Sequence, residues 1–90
     1  MDTKKIIGMN LKYLRFKAKL SQEEFYNQLG LSYQYLASVE RGEINVTINF
    51  LDNLAEKLNV TLVELITFDE SKLIAEKRID SKKMKVNINN

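Results

Sequence analysis

Between Thr3 and Ala18, the apolar positions Ile7, Leu11, Leu14 and Ala18 recur at spacings of four, three and four. They fall on one stripe of a 3.6-residue helix, with the lysines mostly elsewhere, and predict a first helix over that stretch. Gly8 lowers the propensity, but in the first turns, where the cost is small. Ser21-Gln22-Glu23-Glu24 reads as a capping box: the Ser21 hydroxyl accepts from the Glu24 backbone N–H, and the Glu24 carboxylate reaches back to Ser21. A second helix follows from about Gln22 to Leu29 with Phe25 and Leu29 inward, and Gly30 supplies the left-handed residue that stops it. Ser32 is the next N-cap. Only Gly30, Leu31 and Ser32 separate the two helices, a connection short enough to force a steep crossing.

The third helix is predicted from about Tyr33 to Arg41, ending at Gly42. At ~100° per residue, Leu36, Val39 and Glu40 share one side and Gln34, Ala37, Ser38 and Arg41 the other, with Tyr33 and Tyr35 at the edges. That outward face is polar and almost free of acid. Thr47 caps a fourth helix, in which Phe50, Leu51, Leu54, Ala55 and Leu58 step by three and four, with Asn59 at its end. Thr61-Leu62-Val63-Glu64 reads as a second capping box, opening a short fifth helix that buries Leu62, Leu65 and Ile66. The tail differs. Residues 69–79 suit a sixth helix, whereas Met84, Val86 and Ile88 alternate with Lys85, Asn87 and Asn89 at the period of a strand. A lone strand has nothing to pair with here, so the tail is expected to be disordered or to pair with its symmetry mate or another protein.

Composition narrows the chemistry. Ninety residues, 44% hydrophobic and 29% charged, make one ordinary globular domain. Without Cys or His, a disulfide framework, a zinc site and Cys-His or Ser-His nucleophiles are excluded, so neither a metal nor a cofactor is expected. Glu23-Glu24 and scattered hydroxyls form no constellation with a base or a phosphate loop, and no enzyme is expected. No run approaches the ~20 apolar residues of a membrane span, and the N-terminus has no signal-type apolar region. A soluble cytoplasmic protein is therefore the expectation. The net charge of +2 hides an asymmetry: residues 1–19 carry Lys4, Lys5, Lys12, Arg15, Lys17 and Lys19 against Asp2 alone, while residues 20–68 are net acidic. Such a basic segment could meet an anionic partner, but charge alone favours a solvated face.

From Ile7 to Ile66 the chain resembles the helix-turn-helix domain of Cro- and cI-type phage repressors and bacterial xenobiotic-response-element regulators. The landmarks are Ile7-Gly8, Leu14-Arg15, Leu20-Ser21-Gln22-Glu23-Glu24, Leu29-Gly30-Leu31-Ser32, Tyr35-Leu36, Val39-Glu40-Arg41-Gly42, Asn45 and Leu58 to Leu65. The resemblance implies an all-α, five-helix, lambda-repressor-like DNA-binding domain over residues 1–68, with a C-terminal extension over 69–90.

It also implies roles. The third helix becomes the recognition helix, with Tyr33, Gln34, Ala37 and Ser38 facing base edges in the major groove of double-stranded DNA. The Gln34 amide suits an adenine N6/N7 edge, and the Ala37 methyl a thymine methyl. Gln22, Tyr35, Arg41, Asn45 and Thr47 are expected on phosphates, where they position and do not specify. Arg15 and Glu40 are placed as a structural ion pair joining the first helix to the third. Three departures stand out. Tyr26 occupies a position where the family prefers a small residue, and must tilt outward or widen the crossing. Glu43 and Ile44 replace basic residues frequent in relatives, which reduces phosphate affinity there. Lys19 replaces a frequent glycine, which strains that corner.

A single reading head contacts few base pairs, so a homodimer on a palindromic operator is expected, with Val63, Ile66, Phe68, Leu73 and Ile74 as the dimer surface. The size suits a restriction–modification controller or a small phage or plasmid repressor. The rivals are an antitoxin whose tail folds on a toxin, and a protein-interaction adaptor reusing the scaffold without DNA affinity.

Overall fold

Each of the five predicted helices forms, and each opens on a side-chain oxygen that accepts a backbone N–H two or three residues further on. In the computed structural model, which describes residues 2–72, these are α1 (Thr3–Ala18), α2 (Gln22–Leu29), α3 (Tyr33–Glu40), α4 (Ile48–Leu58) and α5 (Leu62–Ile66). The caps are Asp2, Ser21, Ser32, Thr47 and Thr61, at 2.9 to 3.4 Å from the N–H groups of Lys4, Glu24, Tyr35, Phe50 and Glu64. Each satisfies an N–H that the helix itself leaves unpaired. At Ser21 the box closes, since its backbone N–H donates to the Glu24 carboxylate at 3.1 Å. At Thr61 the expected return bond is absent, and the hydroxyl alone caps α5. No strand occurs among the described residues, and residues 70–72 are helical. The predicted sixth helix beyond that point and the alternating stretch 84–88 lie outside the described residues.

The helix ends also follow local chemistry. Gly30 and Gly42 take φ of 67° and 71°, in the left-handed region where glycine has no Cβ to clash. Lys19 and Asn59 adopt the same region, φ 61° and 57°, with a Cβ present. Asn tolerates this conformation better than Lys, so the strained corner expected at Lys19 is there.

Every helix sends one side chain to the centre of the domain. Leu11, Leu36, Leu54 and Leu65 are fully buried, and Tyr26 fills the α2 contribution at 1% exposure. Around them close Ile7, Phe25, Leu29, Val39, Leu51 and Ala55. A buried leucine contributes ~1.5–3 kcal/mol by leaving water, so these contacts, and not the short helices' own hydrogen bonds, carry the stability. α1 is the spine of the packing, lying against both α3 and α5.

Several expectations about α1 and α5 are corrected. Ala18 sits in the last turn, beyond the neighbouring helices, and is exposed despite its place on the stripe. Gly8 is not merely tolerated: a Cβ there would stand 2.5 Å from the Glu40 carbonyl oxygen and 2.6 Å from that of Val39. The backbone of α1 meets the end of α3 at this glycine. Asn10, outside the predicted apolar stripe, is 3% exposed. Its Nδ2 donates to the carbonyls of Leu65 (2.8 Å) and Thr67 (3.1 Å), satisfying the open end of α5. Ile66 was expected inward but is 39% exposed, because α5 ends there and turns only Leu65 fully into the core.

Candidate nucleic-acid interface

α2, the turn Gly30-Leu31-Ser32 and α3 pack as one unit, and α3 also rests on α1. Leu36 and Val39 anchor the inner face of α3, so its helical period turns Tyr33, Gln34 and Arg41 outward, with Ser38 half-buried between them. Tyr33 is 48% exposed and Tyr35 38%. Tyr35 is not loose, since its ring meets Phe50 of α4 edge-to-face with centroids 5.0 Å apart.

Ala37, expected on this outward face as a base contact, lies in the hydrophobic core at 5% exposure. On the wheel it stands at the border of the two faces, and its single methyl is too short to emerge between longer neighbours. Of the four residues expected to contact bases, Tyr33, Gln34 and Ser38 remain at least partly accessible.

Behind α3 lies a carboxylate with four donors. Arg15 grips Glu40 through Nε to Oε2 at 3.1 Å and Nη2 to Oε1 at 2.9 Å. The two side chains are 8% and 4% exposed, so this is a forked, nearly dry ion pair. Arg15 also donates from Nη1 to the Leu20 carbonyl at 3.4 Å and stacks over Phe16, which ties the α1–α2 corner to the same site. Gln22 adds a longer bond, Nε2 to Oε1 at 3.4 Å, and the Tyr26 hydroxyl donates to Oε2. Tyr26 therefore does not tilt outward: it turns inward, where Glu40 supplies the acceptor its hydroxyl needs once buried. Burial, and then the hydrogen bond to Glu40, raise the Tyr26 phenol well above its ordinary pKa. No buried polar side-chain atom lacks a partner among the described residues.

At the surface the candidate contacts are already linked to one another. The Tyr33 hydroxyl donates to Gln22 Oε1 at 3.1 Å, which joins the first residue of α3 to the first of α2. Ser38 donates back to the Gln34 carbonyl at 3.0 Å and accepts from Arg41 Nη2 at 3.2 Å. Arg41 in turn pairs with Glu43 at 2.9 Å, both side chains more than half exposed. An exposed pair of this kind contributes at most ~1 kcal/mol, so an incoming phosphate can displace Glu43 at little cost. Asn45 and Thr47 are exposed on the loop that follows, with the Thr47 hydroxyl also serving as the cap of α4. Ile44, beside them, is half-buried and packs against the core.

The expected dimer surface divides. Val63 is 65% and Phe68 45% exposed, beside Ile66, while Leu73 and Ile74 lie outside the described residues. The sequence reading overlooked Ile48. It is 70% exposed at the first position of α4, ahead of the predicted apolar stripe, and it shares a shallow cleft with Ile7, Val46, Leu51 and Ile66. Isoleucine at the opening of a helix, outside the periodic pattern, was the available signal.

The helix-turn-helix family profile matches residues 11–65. The chain is 46% identical over 67 residues to the HTH-type transcriptional regulator y4dJ of Sinorhizobium fredii, covering 74% of this chain and 87% of that one. It is 42% identical over 67 residues to the control protein C.SmaI of Serratia marcescens, covering 74% and 80%. Among solved structures, the hypothetical transcription factor NHTF from Neisseria superposes with a TM-score of 0.69 at 27% identity, covering 82% of this chain and 85% of that one.

Proposed function

The chain belongs to the helix-turn-helix family of DNA-binding transcriptional regulators, and from that premise we propose that it is a homodimer reading a palindromic operator with α3. The observation that carries this reading is the face of Tyr33, Gln34 and Ser38. It is solvent-facing and free of acid, and it is held from behind by the Arg15–Glu40 pair. A rigid helix with such a face fits the major groove, whose base edges offer donors and acceptors at fixed positions.

In this reading Gln34 pairs with an adenine edge, while Tyr33 and Ser38 set the neighbouring preference. Gln22, Tyr35, Arg41, Asn45 and Thr47 approach phosphates on either side. Val63, Ile66 and Phe68 form the dimer surface, so that two heads stand about one helical turn, ~34 Å, apart. The likeness to a control protein supports operator occupancy as the mode of action: repression where the dimer blocks polymerase, activation where it recruits it.

Selection of bound duplexes from a random pool, with the mass of the complex measured alongside, tests this. The expected result is a palindromic consensus carrying two chains, with affinity falling steeply with log salt. Gln34→Ala is expected to relax one position in each half-site at a cost of ~1–3 kcal/mol. No consensus and no complex even at low salt would replace this reading with the adaptor.

A further inference from the structure

At the start of α3 the outward-facing Tyr33 is tied to the interior through Tyr26. Its ring meets that of Tyr26 edge-to-face, centroids 5.3 Å apart and planes at 69°, and its hydroxyl donates to Gln22. Gln22 donates onward to Glu40, and the Tyr26 hydroxyl donates to the same carboxylate. The four side chains close a loop: Tyr26 to Glu40, Glu40 to Gln22, Gln22 to Tyr33, and back to Tyr26 through the rings. Tyr33 lies at the surface and Gln22 is half-buried; Tyr26 and the Glu40 carboxylate lie inside.

We infer that Tyr26 is a positioning residue for base recognition, which from within the core sets the direction of both Tyr33 and Gln22. This rests on α3 being the reading helix. An exposed tyrosine otherwise samples several rotamers, and ordering it on binding costs affinity. Here the Tyr26 ring and the Gln22 amide hold Tyr33 to one direction before DNA arrives. Gln22 is held similarly: one N–H of its amide goes to Glu40 and its oxygen to Tyr33, which leaves its second N–H for a phosphate oxygen. Base preference at the Tyr33 position and phosphate register at Gln22 are thus coupled through a side chain that touches no DNA.

Duplex selection on the full chain and on Tyr26→Phe, Tyr26→Leu and Tyr33→Ala, each checked for helix content and thermal midpoint, tests the inference. Tyr26→Leu fills the core but removes both the aromatic face and the hydroxyl. It is expected to lose about 3- to 10-fold of preference at the same base pair that Tyr33→Ala loses, with the Gln34 position unchanged. Tyr26→Leu combined with Tyr33→Ala is expected to lose no more there than Tyr33→Ala alone. Tyr26→Phe keeps the ring contact and is expected to retain that preference. A folded Tyr26→Leu that binds with the wild-type consensus, weakened uniformly or not at all, overturns the inference and leaves Tyr26 a core residue only. Should Tyr26→Leu fail to fold, Tyr26→Met, a more adaptable apolar side chain that also lacks the ring and the hydroxyl, takes its place; a wild-type preference at the Tyr33 position then overturns the inference equally. A wild-type chain that selects no consensus removes the underlying DNA reading, and the inference with it.

Discussion

The Arg15 guanidinium and the Glu40 carboxylate, 25 positions apart in sequence, meet in a two-bond fork at 3.1 and 2.9 Å between α1 and α3. The pair sits beneath the outward face of α3 with both side chains almost wholly shielded from water. In that setting neither charge has an alternative partner in solvent, so each depends on the other. Arg15→Met is expected to cost about 3–5 kcal/mol in denaturant unfolding, because it strands the Glu40 charge. Loss of DNA binding with stability intact would show instead that Arg15 is a DNA contact.

Gly8→Ala separates local propensity from packing by sign. In an isolated helix the change stabilises by about 1 kcal/mol. Here the new methyl would meet two backbone oxygens of α3 at 2.5 and 2.6 Å, which no side-chain rotation relieves. The expected outcome is destabilisation by about 1–3 kcal/mol, read from the denaturant midpoint. A gain in stability would mean that the α1–α3 approach is looser than described.

Lys19→Gly is expected to act the other way. Lys19 ends α1 in the left-handed region, with its N–H bonded to the Phe16 carbonyl at 2.9 Å. Glycine keeps that bond and removes the Cβ clash, against a smaller entropic cost in the unfolded chain, for a net gain of about 0.5–1 kcal/mol. The thermal midpoint reports it. Asn59→Gly, at the same φ region, is expected to gain less, since Asn already tolerates that conformation.

Tyr26 makes stability depend on alkaline pH. Its folded-state pKa is raised, chiefly by burial and then by the bond to Glu40. The unfolded chain releases the phenolic proton near pH ~10 while the folded chain keeps it. The contribution is therefore fully present below pH ~10 and declines as pH rises toward the folded pKa, by up to ~1.4 kcal/mol per pH unit. Wild-type unfolding midpoints are expected to fall faster between about pH 10 and 11.5 than those of Tyr26→Phe. At neutral pH the phenylalanine variant is expected to be weaker by about 1–3 kcal/mol, since Glu40 loses a donor. Parallel pH profiles would contradict the Tyr26–Glu40 bond.

The helices were legible because their signals are local. A capping hydroxyl and the N–H it satisfies are three residues apart at Ser21, Ser32, Thr47 and Thr61, and an apolar stripe repeats within one or two turns. The direction of α3 followed from the same period, which put Gln34 on the outward side and Tyr33 at its edge, and both are exposed. Ala37 was misplaced because a wheel assigns an angle and knows nothing of length: a methyl at the border of two faces is covered by whatever stands beside it.

What the chain's own pattern determined is the set of elements, their ends and the side of α3 that turns to solvent. What only the tertiary structure decided is how side chains far apart in sequence share space. Asn10 closes α5 across 55 residues, Gly8 admits the end of α3, and Tyr26 turns inward because Glu40 is there to receive its hydroxyl. None of these is a property of a segment. Each depends on where two helices cross, and a crossing is set by the whole core at once.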